Sequence, residues 1–169
     1  MHEIINFVYY KFIRPSRLKK EIKKVNKLSG TNILDIGYFD GTARKMLRKN
    51  MDYYGIDVNP REKLPEMPTI SIEDFSTEKK FDIVIAFDVL EHTKDPVLAI
   101  KKIKSLSKKY VCVSVPHEPM YTLSRLFVPV EDHFWTIHPN ILEYYLGKPI
   151  YAKKIHCFRT YFAIYDLSN

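Results

Sequence analysis

The sequence predicts an α/β sandwich built around a mostly parallel sheet, and three observations carry that expectation. Short apolar strand candidates alternate with amphipathic helix candidates, the pattern of parallel strands joined by helical crossovers, and a hairpin closes the chain. One candidate, Phe81-Asp82-Ile83-Val84-Ile85-Ala86-Phe87, is the apolar run of a strand covered on both faces. Finally, the unusual polar clusters (35–41, 57, 73–75, 88–92 and 117–118) each follow a strand candidate, so one sheet edge collects them all.

A chain of 169 residues, 46% apolar, suits one domain with an ample core. No apolar run approaches the ~20 residues needed to span a bilayer. Met1-His2-Glu3 lacks the basic start of a signal peptide. Cys112 and Cys157 have no metal or disulfide spacing, so a reducing cytoplasm is the expected location. The net charge of +7 is uneven: residues 1–30 carry eight Lys/Arg against two Glu, the remainder nineteen against eighteen. This divides the chain into a basic, helical N-terminal cap segment, 1–30, and a nearly neutral domain, 31–169.

In order, residues 4–13 form an apolar helix candidate that Arg14-Pro15 should break. Ser16 then caps a helix over 17–28 with Leu18, Ile22 and Val25 on one face, and Gly30 ends it. The opposite stripe, Lys19, Lys20, Lys23, Lys24 and Lys27, reads as solvated surface, with a dock for an anionic partner as the alternative. A strand over 31–36 leads into the turn Gly37-Tyr38-Phe39-Asp40-Gly41 and a helix over 41–50. A second strand, 53–58, ends at Asp57-Val58. Three prolines in 59–68 allow only a helical turn there. A third strand covers 69–72 and a fourth 81–87. Asp95-Pro96 starts a helix with Val97, Ile100, Ile103 and Leu106 inward. A fifth strand spans 110–115, helices follow over 120–128 and 139–146, and 150–156 pairs with 160–166.

The chemistry concentrates in the clusters. A strand stopping in a tight glycine turn before a helix exposes unpaired N–H groups suited to an anion. Asp35, placed before the first glycine, would repel pyrophosphate and instead suits a cationic ligand group. Asp57 suits a pair of ribose hydroxyls, and Glu73-Asp74 could meet an adenine amino group. Against these stand plainer roles: Asp35 as a turn organiser, Asp57 as a strand-end cap, Glu73-Asp74 as loop solvation. The dinucleotide pattern G-x-G-x-x-G is absent.

Ile33-Leu34-Asp35-Ile36-Gly37, Asp40-Gly41-Thr42, Gly55-Ile56-Asp57, Phe81-Asp82-Ile83-Val84 and Asp88-Val89-Leu90-Glu91-His92 resemble, in order and spacing, the class I S-adenosylmethionine-dependent methyltransferases. They are most similar to the small "type 11" methyltransferase-domain group, over about residues 31–138. The resemblance implies a Rossmann-like three-layer sandwich with a seven-stranded, mostly parallel sheet whose last strand is antiparallel. It implies S-adenosyl-L-methionine as cofactor. Gly37 and Gly41, with Asp35 and Tyr38 beside them, would receive its amino-acid moiety, Asp57 and Val58 the ribose, and Asp74 and Phe75 the adenine. Phe87 and Asp88 would line the methionine end. One position departs: Phe39 stands where the family has its middle glycine.

Methyl transfer from a sulfonium is chiefly a matter of positioning, and an oxygen acceptor also needs its proton removed. His92 and His133 are the candidate bases, with His117 at the rim. A loop-organising hydrogen bond is the alternative for His92. No Asn-Pro-Pro-Tyr element follows strand four and no cysteine lies in a post-strand loop, which disfavours adenine-N6, glutamine and 5-methylcytosine chemistry. No metal-ligand spacing is present, so no metal is expected. The acceptor expected is a small or lipid-like molecule. The alternatives are nucleic acid or protein bound through the basic residues 11–27, or a binding module without catalysis.

Overall fold

A computed structural model describes residues 9–117, 133–155 and 160–168. A π-helical turn, Tyr9–Ile13, runs directly into helix α1, Arg14–Val25. At the expected break, Arg14-Pro15, the chain passes from π to α winding without leaving helical geometry (Ile13 φ −75°, ψ −55°), so the proline marks a change of winding and not an end of the helix. Ser16 therefore lies within the helix, not at its cap. The helix closes at Asn26, whose N–H donates to Ile22 O over 2.8 Å, before Gly30 is reached.

Strand β1, Asn32–Ile36, is followed by the glycine turn and helix α2, Thr42–Met46. That helix is shorter than the sequence suggested. Arg48 is drawn out of it, its guanidinium donating to Asn26 O at 3.0 Å and Leu28 O at 2.8 Å, and also to Gly30 O. Then come β2, Asp52–Ile56; β3, Phe81–Phe87; a 3₁₀ turn, Leu90–His92; α3, Pro96–Leu106; and β4, Ser107–Pro116. Helix α4, Pro139–Leu146, leads to β5, Tyr151–Ile155, and β6, Thr160–Asp166. The Asp95 cap is present, its Oδ1 accepting from Leu98 N–H at 2.9 Å. Ala99 takes the buried place expected for Val97. The expected helix 120–128, Glu131-Asp132, most of the first apolar helix and the hairpin turn with Cys157 lie outside the described residues.

The sheet runs β2-β1-β3-β4-β6-β5, six strands among the described residues. The first four strands are mutually parallel and β6, the last, runs antiparallel to both its neighbours. The count expected was seven. The segment 69–72 makes only a single parallel bridge, Thr69 to Asp57. Pro60, Pro65 and Pro68 consume the approach to this edge in turns, and Ile72 with Phe75 turns inward to the core instead of extending a ladder.

Alternation along the strands feeds two cores. Leu34, Ile36, Val84 and Val113 face α3 and α4, meeting Ile100, Ile103, Leu142 and Leu146. Ile33, Ile83, Ile85, Cys112 and Phe162 face the other way and meet Leu18, Ile22 and Val25 of α1. Each such fully buried aliphatic chain contributes about 1.5–3 kcal/mol. The N-terminal helix is thereby fixed to one face of the sheet, alongside the edge where the polar clusters gather.

Candidate active site

The site is built from the turns after β1, β2 and β3. At Gly37 the backbone has φ +75°, and its N–H donates to Ile56 O over 2.8 Å. A Cβ there would lie 2.5 Å from Val89 Cγ2, so glycine is required both by conformation and by space. Gly41, with φ +67°, differs: a Cβ would meet nothing within 4 Å, which leaves open room over the start of α2. Between them Phe39 holds φ +54°, the left-handed conformation that glycine would adopt without strain. Its ring does not stand alone. The Arg14 guanidinium lies 4.8 Å from the ring centroid and pairs with Asp40 Oδ1 at 2.9 Å, so the turn is held against α1.

Asp57 locks the turn from the neighbouring strand. Its Oδ2 accepts from Phe39 N–H at 2.8 Å and its Oδ1 from Asn59 N–H at 2.7 Å. Each carboxylate oxygen has a second lone pair for a further donor. Asp35 is buried on β1 and accepts from the Tyr53 hydroxyl at 2.8 Å. Burial pushes its carboxyl up to about 7, against the Tyr53 hydrogen bond and the charge of Arg14. The Tyr53 phenol is pushed up as well, chiefly by burial and then by Asp35.

After β3, Asp88 also adopts φ +54°, with its N–H donating to Ser114 O at 2.9 Å. Its carboxylate pairs with Arg17 of α1, and Arg17 Nε lies 3.7 Å from Glu21 Oε1. Glu21 is wholly buried, and burial raises its carboxyl to about 7. Phe87 packs edge-on against Phe162 with centroids 5.9 Å apart.

Tyr38 is a core side chain; a Cβ on Gly55 would come 2.9 Å from its ring. Phe75 is likewise in the core, facing Tyr54 at 6.1 Å. Val58 is exposed, and Asp74 is exposed with its carboxylate accepting from Ser71 Oγ at 2.7 Å. Glu73 Oε1 accepts from Lys94 N–H at 2.8 Å, tying this segment to the entrance of α3. The structure thus gathers Asp35, Gly37, Gly41, Asp57 and Asp88 around one turn system and sets Val58 and Asp74 outward. His117 follows β4 at the same sheet edge.

His92 and His133 come together with ring centroids 4.5 Å apart and planes at 88°. Glu91, fully buried, joins them: one ligand atom from each of the three lies within 4.8 Å of the others. The absence of metal-ligand spacing in the sequence therefore did not exclude a cluster in space. Sequence reasoning also passed over Arg14, Arg17 and Glu21. Arg17 and Glu21 stand at i and i+4 beside the Leu18–Ile22–Val25 stripe, a spacing that marks them as an inward pair.

The profile of a methyltransferase-domain family matches residues 10–147. The chain belongs to that family. Among the relatives of this methyltransferase-family chain is the ubiquinone biosynthesis O-methyltransferase of Acinetobacter baylyi, 30% identical over 112 residues, 57% of this chain and 47% of that protein. The corresponding enzyme of Acinetobacter baumannii is 28% identical over the same shares. The chain spans about half the length of the curated relatives it matches. An S-adenosylmethionine-dependent methyltransferase of Clostridium acetobutylicum superposes with a TM-score of 0.70 at 14% identity, covering 99% of both chains. Magnesium protoporphyrin IX methyltransferase of Synechocystis, solved with SAH, gives 0.69 at 15% identity over 90% of this chain and 81% of that one. The order of the sheet and the antiparallel last strand agree with membership of this family.

Proposed function

We propose that this methyltransferase domain binds S-adenosyl-L-methionine at the carboxyl edge of β1, β2 and β3 and transfers its methyl group to a small-molecule acceptor. One observation carries the reading. The turn 37–41, left-handed at Gly37, Phe39 and Gly41 and clamped by Asp57, lies among Asp35, Asp57 and Asp88 with open space over Gly41. That donor set fits the cofactor: carboxylates suit its ammonium and ribose hydroxyls, and the room at Gly41 admits close backbone approach. When bound, the cofactor supplies a methyl group activated by a sulfonium.

The chain's own residues then have defined tasks. Asp57 offers its outward lone pairs to hydroxyls while holding the turn through Phe39 N–H. Asp35 provides a carboxylate beneath the amino-acid end, and Arg14 and Arg17 provide guanidinium groups for a carboxylate there. The α1 helix, anchored by its apolar face, covers this end and limits water. His92 and His133, brought together after β3 with Glu91, provide polar side chains on the acceptor side. The named activity of the ubiquinone-biosynthesis relatives, O-methyl transfer, supports an oxygen acceptor.

Isothermal calorimetry with S-adenosylmethionine and S-adenosylhomocysteine tests the reading. Binding of both, weakened in Asp57→Ala, is expected; absence of heat with either overturns it. Salt dependence of acceptor binding separates the small molecule, with a shallow slope, from nucleic acid, with a steep one.

A further inference from the structure

We propose that Glu91, His92 and His133 form a divalent-metal site at the acceptor end of the cleft, one that takes a transition ion and leaves positions open for an acceptor hydroxyl. The role in methyl transfer rests on the function proposed above; the metal site itself does not. Glu91 and His92 lie on the 3₁₀ turn that follows β3 and Asp88. His133 is brought to them from a distant part of the chain by backbone bonds. Phe134 N–H donates to Glu91 O at 2.9 Å, Trp135 N–H to the same oxygen at 3.2 Å, and the Trp135 indole N–H to Thr93 O at 2.9 Å. Three hydrogen bonds therefore fix the segment beginning at His133 over the turn that carries the other two candidates.

The donor set is chemically selective. Two imidazoles and one carboxylate suit Mn, Fe, Co or Zn better than Ca or Mg, which prefer all-oxygen shells. Three protein ligands leave coordination positions free, the arrangement of reactive and not of purely structural metal sites. Glu91 has no solvent exposure, so a carboxylate at this position needs a cation or strong hydrogen bonds beside it. The ligand atoms, within 4.8 Å of one another, are wider than the roughly 3–3.5 Å spacing around a bound ion with ~2.1 Å bonds. Side-chain movement of about 1 Å closes that gap, within the reach of rotation about the Glu91 and His133 torsions.

In the step this implies, the acceptor hydroxyl binds the cation and gives its proton to solvent, its pKa being lowered by the ion. The acceptor oxygen then forms a bond to the methyl carbon as the carbon–sulfur bond breaks, and the sulfur leaves with that electron pair as a neutral thioether. His92 and His133 act here as ligands and not as the base.

The test uses tag-free full chain, stripped with a chelator and dialysed against Co²⁺ alone. Uptake of one ion per chain with visible d–d absorption is expected, with affinity lowered roughly tenfold or more in Glu91→Gln and in His133→Asn. Substoichiometric uptake, or unchanged uptake in both variants, overturns the site. Should a variant fail to fold, the wild type decides through its melting temperature: a rise with Co²⁺ reversed by chelator supports the site, and no shift opposes it. Calorimetry with S-adenosylhomocysteine on the stripped protein reports the cofactor site separately. With acceptor present, turnover lost on stripping and restored by Co²⁺ or Mn²⁺ supports the activating role; turnover indifferent to stripping removes it.

Discussion

The Tyr53 hydroxyl donates to Asp35 Oδ2 over 2.8 Å in the interior just below the glycine turn, binding the first two strands at the point where the site begins. Burial holds this carboxyl at about 7, well above its ordinary 3.8. A folded pKa above the unfolded one means that the folded state holds the proton more tightly. The associated stability is complete below about pH 4 and is lost as pH rises through about 7. Thermal melts should therefore show a lower Tm at pH 8 than at pH 5.5. Asp35→Asn, which keeps an acceptor for Tyr53, should raise Tm at pH 8 and flatten the profile. Glu21 titrates in the same window, so some slope should survive. An unaltered slope in Asp35→Asn would rule out its burial as the cause.

Arg17 joins α1 to the site by contacting Asp88 on one side and lying 3.7 Å from buried Glu21 on the other. Removing one member of a buried charge group strands the others. Arg17→Met is expected to destabilise the protein by about 3 kcal/mol in urea denaturation at pH 8. The loss should shrink at pH 5.5, where Glu21 carries a proton and needs no cation. Arg17→Met combined with Glu21→Leu should recover much of the difference, the coupling being read from a double-mutant cycle.

The elements legible in the sequence were those governed by local rules. β3 announced itself as an unbroken apolar run, α3 by Asp95-Pro96, and α4 by a proline at its first position. Pro15 was ambiguous by nature, since a helix breaker and a first-turn proline are the same residue until the preceding turn is known. The lost third strand and the short α2 were settled by distant partners: the proline-rich approach to the sheet edge, and the pull of Arg48 toward Asn26. At the site, Asp57 could be read as an acidic strand end, yet its grip on Phe39 N–H depends on a turn conformation no spacing reveals. The contacts of Arg17 with Asp88 and of His133 with Glu91 and His92 join segments far apart in the chain, where periodicity carries no information.

Gly37 and Gly41 share a left-handed backbone but differ in what surrounds them. Gly37→Ala meets both the conformational penalty and Val89 Cγ2 at 2.5 Å, whereas Gly41→Ala meets the conformational penalty alone. Gly41→Ala should cost about 1–2 kcal/mol, and Gly37→Ala distinctly more, with S-adenosylhomocysteine binding weakened in both. Adding Val89→Ala should restore part of the stability of Gly37→Ala and none of that of Gly41→Ala. Equal rescue in the two backgrounds would show that the Val89 contact is not what separates them.

Phe39 offers the sharpest comparison, because the backbone already adopts at φ +54° the conformation a glycine would take. Phe39→Gly removes a left-handed penalty of about 1–2 kcal/mol. It also removes the ring under the Arg14 guanidinium, a contact of about 0.5–1 kcal/mol at an accessible site. With the further ~0.5–1 kcal/mol of backbone entropy that glycine loses on folding, gain and loss nearly offset, so Tm should change little. Phe39→Val keeps the penalty, adds a β-branch that resists this conformation, and loses the ring; it should destabilise by more than 1 kcal/mol. Because the Asp57 bond is made by the backbone N–H of residue 39, both variants retain it. Calorimetric affinity for S-adenosylhomocysteine should accordingly hold in Phe39→Gly and fall in Phe39→Val. A fall in Phe39→Gly as large as in Phe39→Val would mean that the ring itself, and not the backbone it sits on, supports the cofactor.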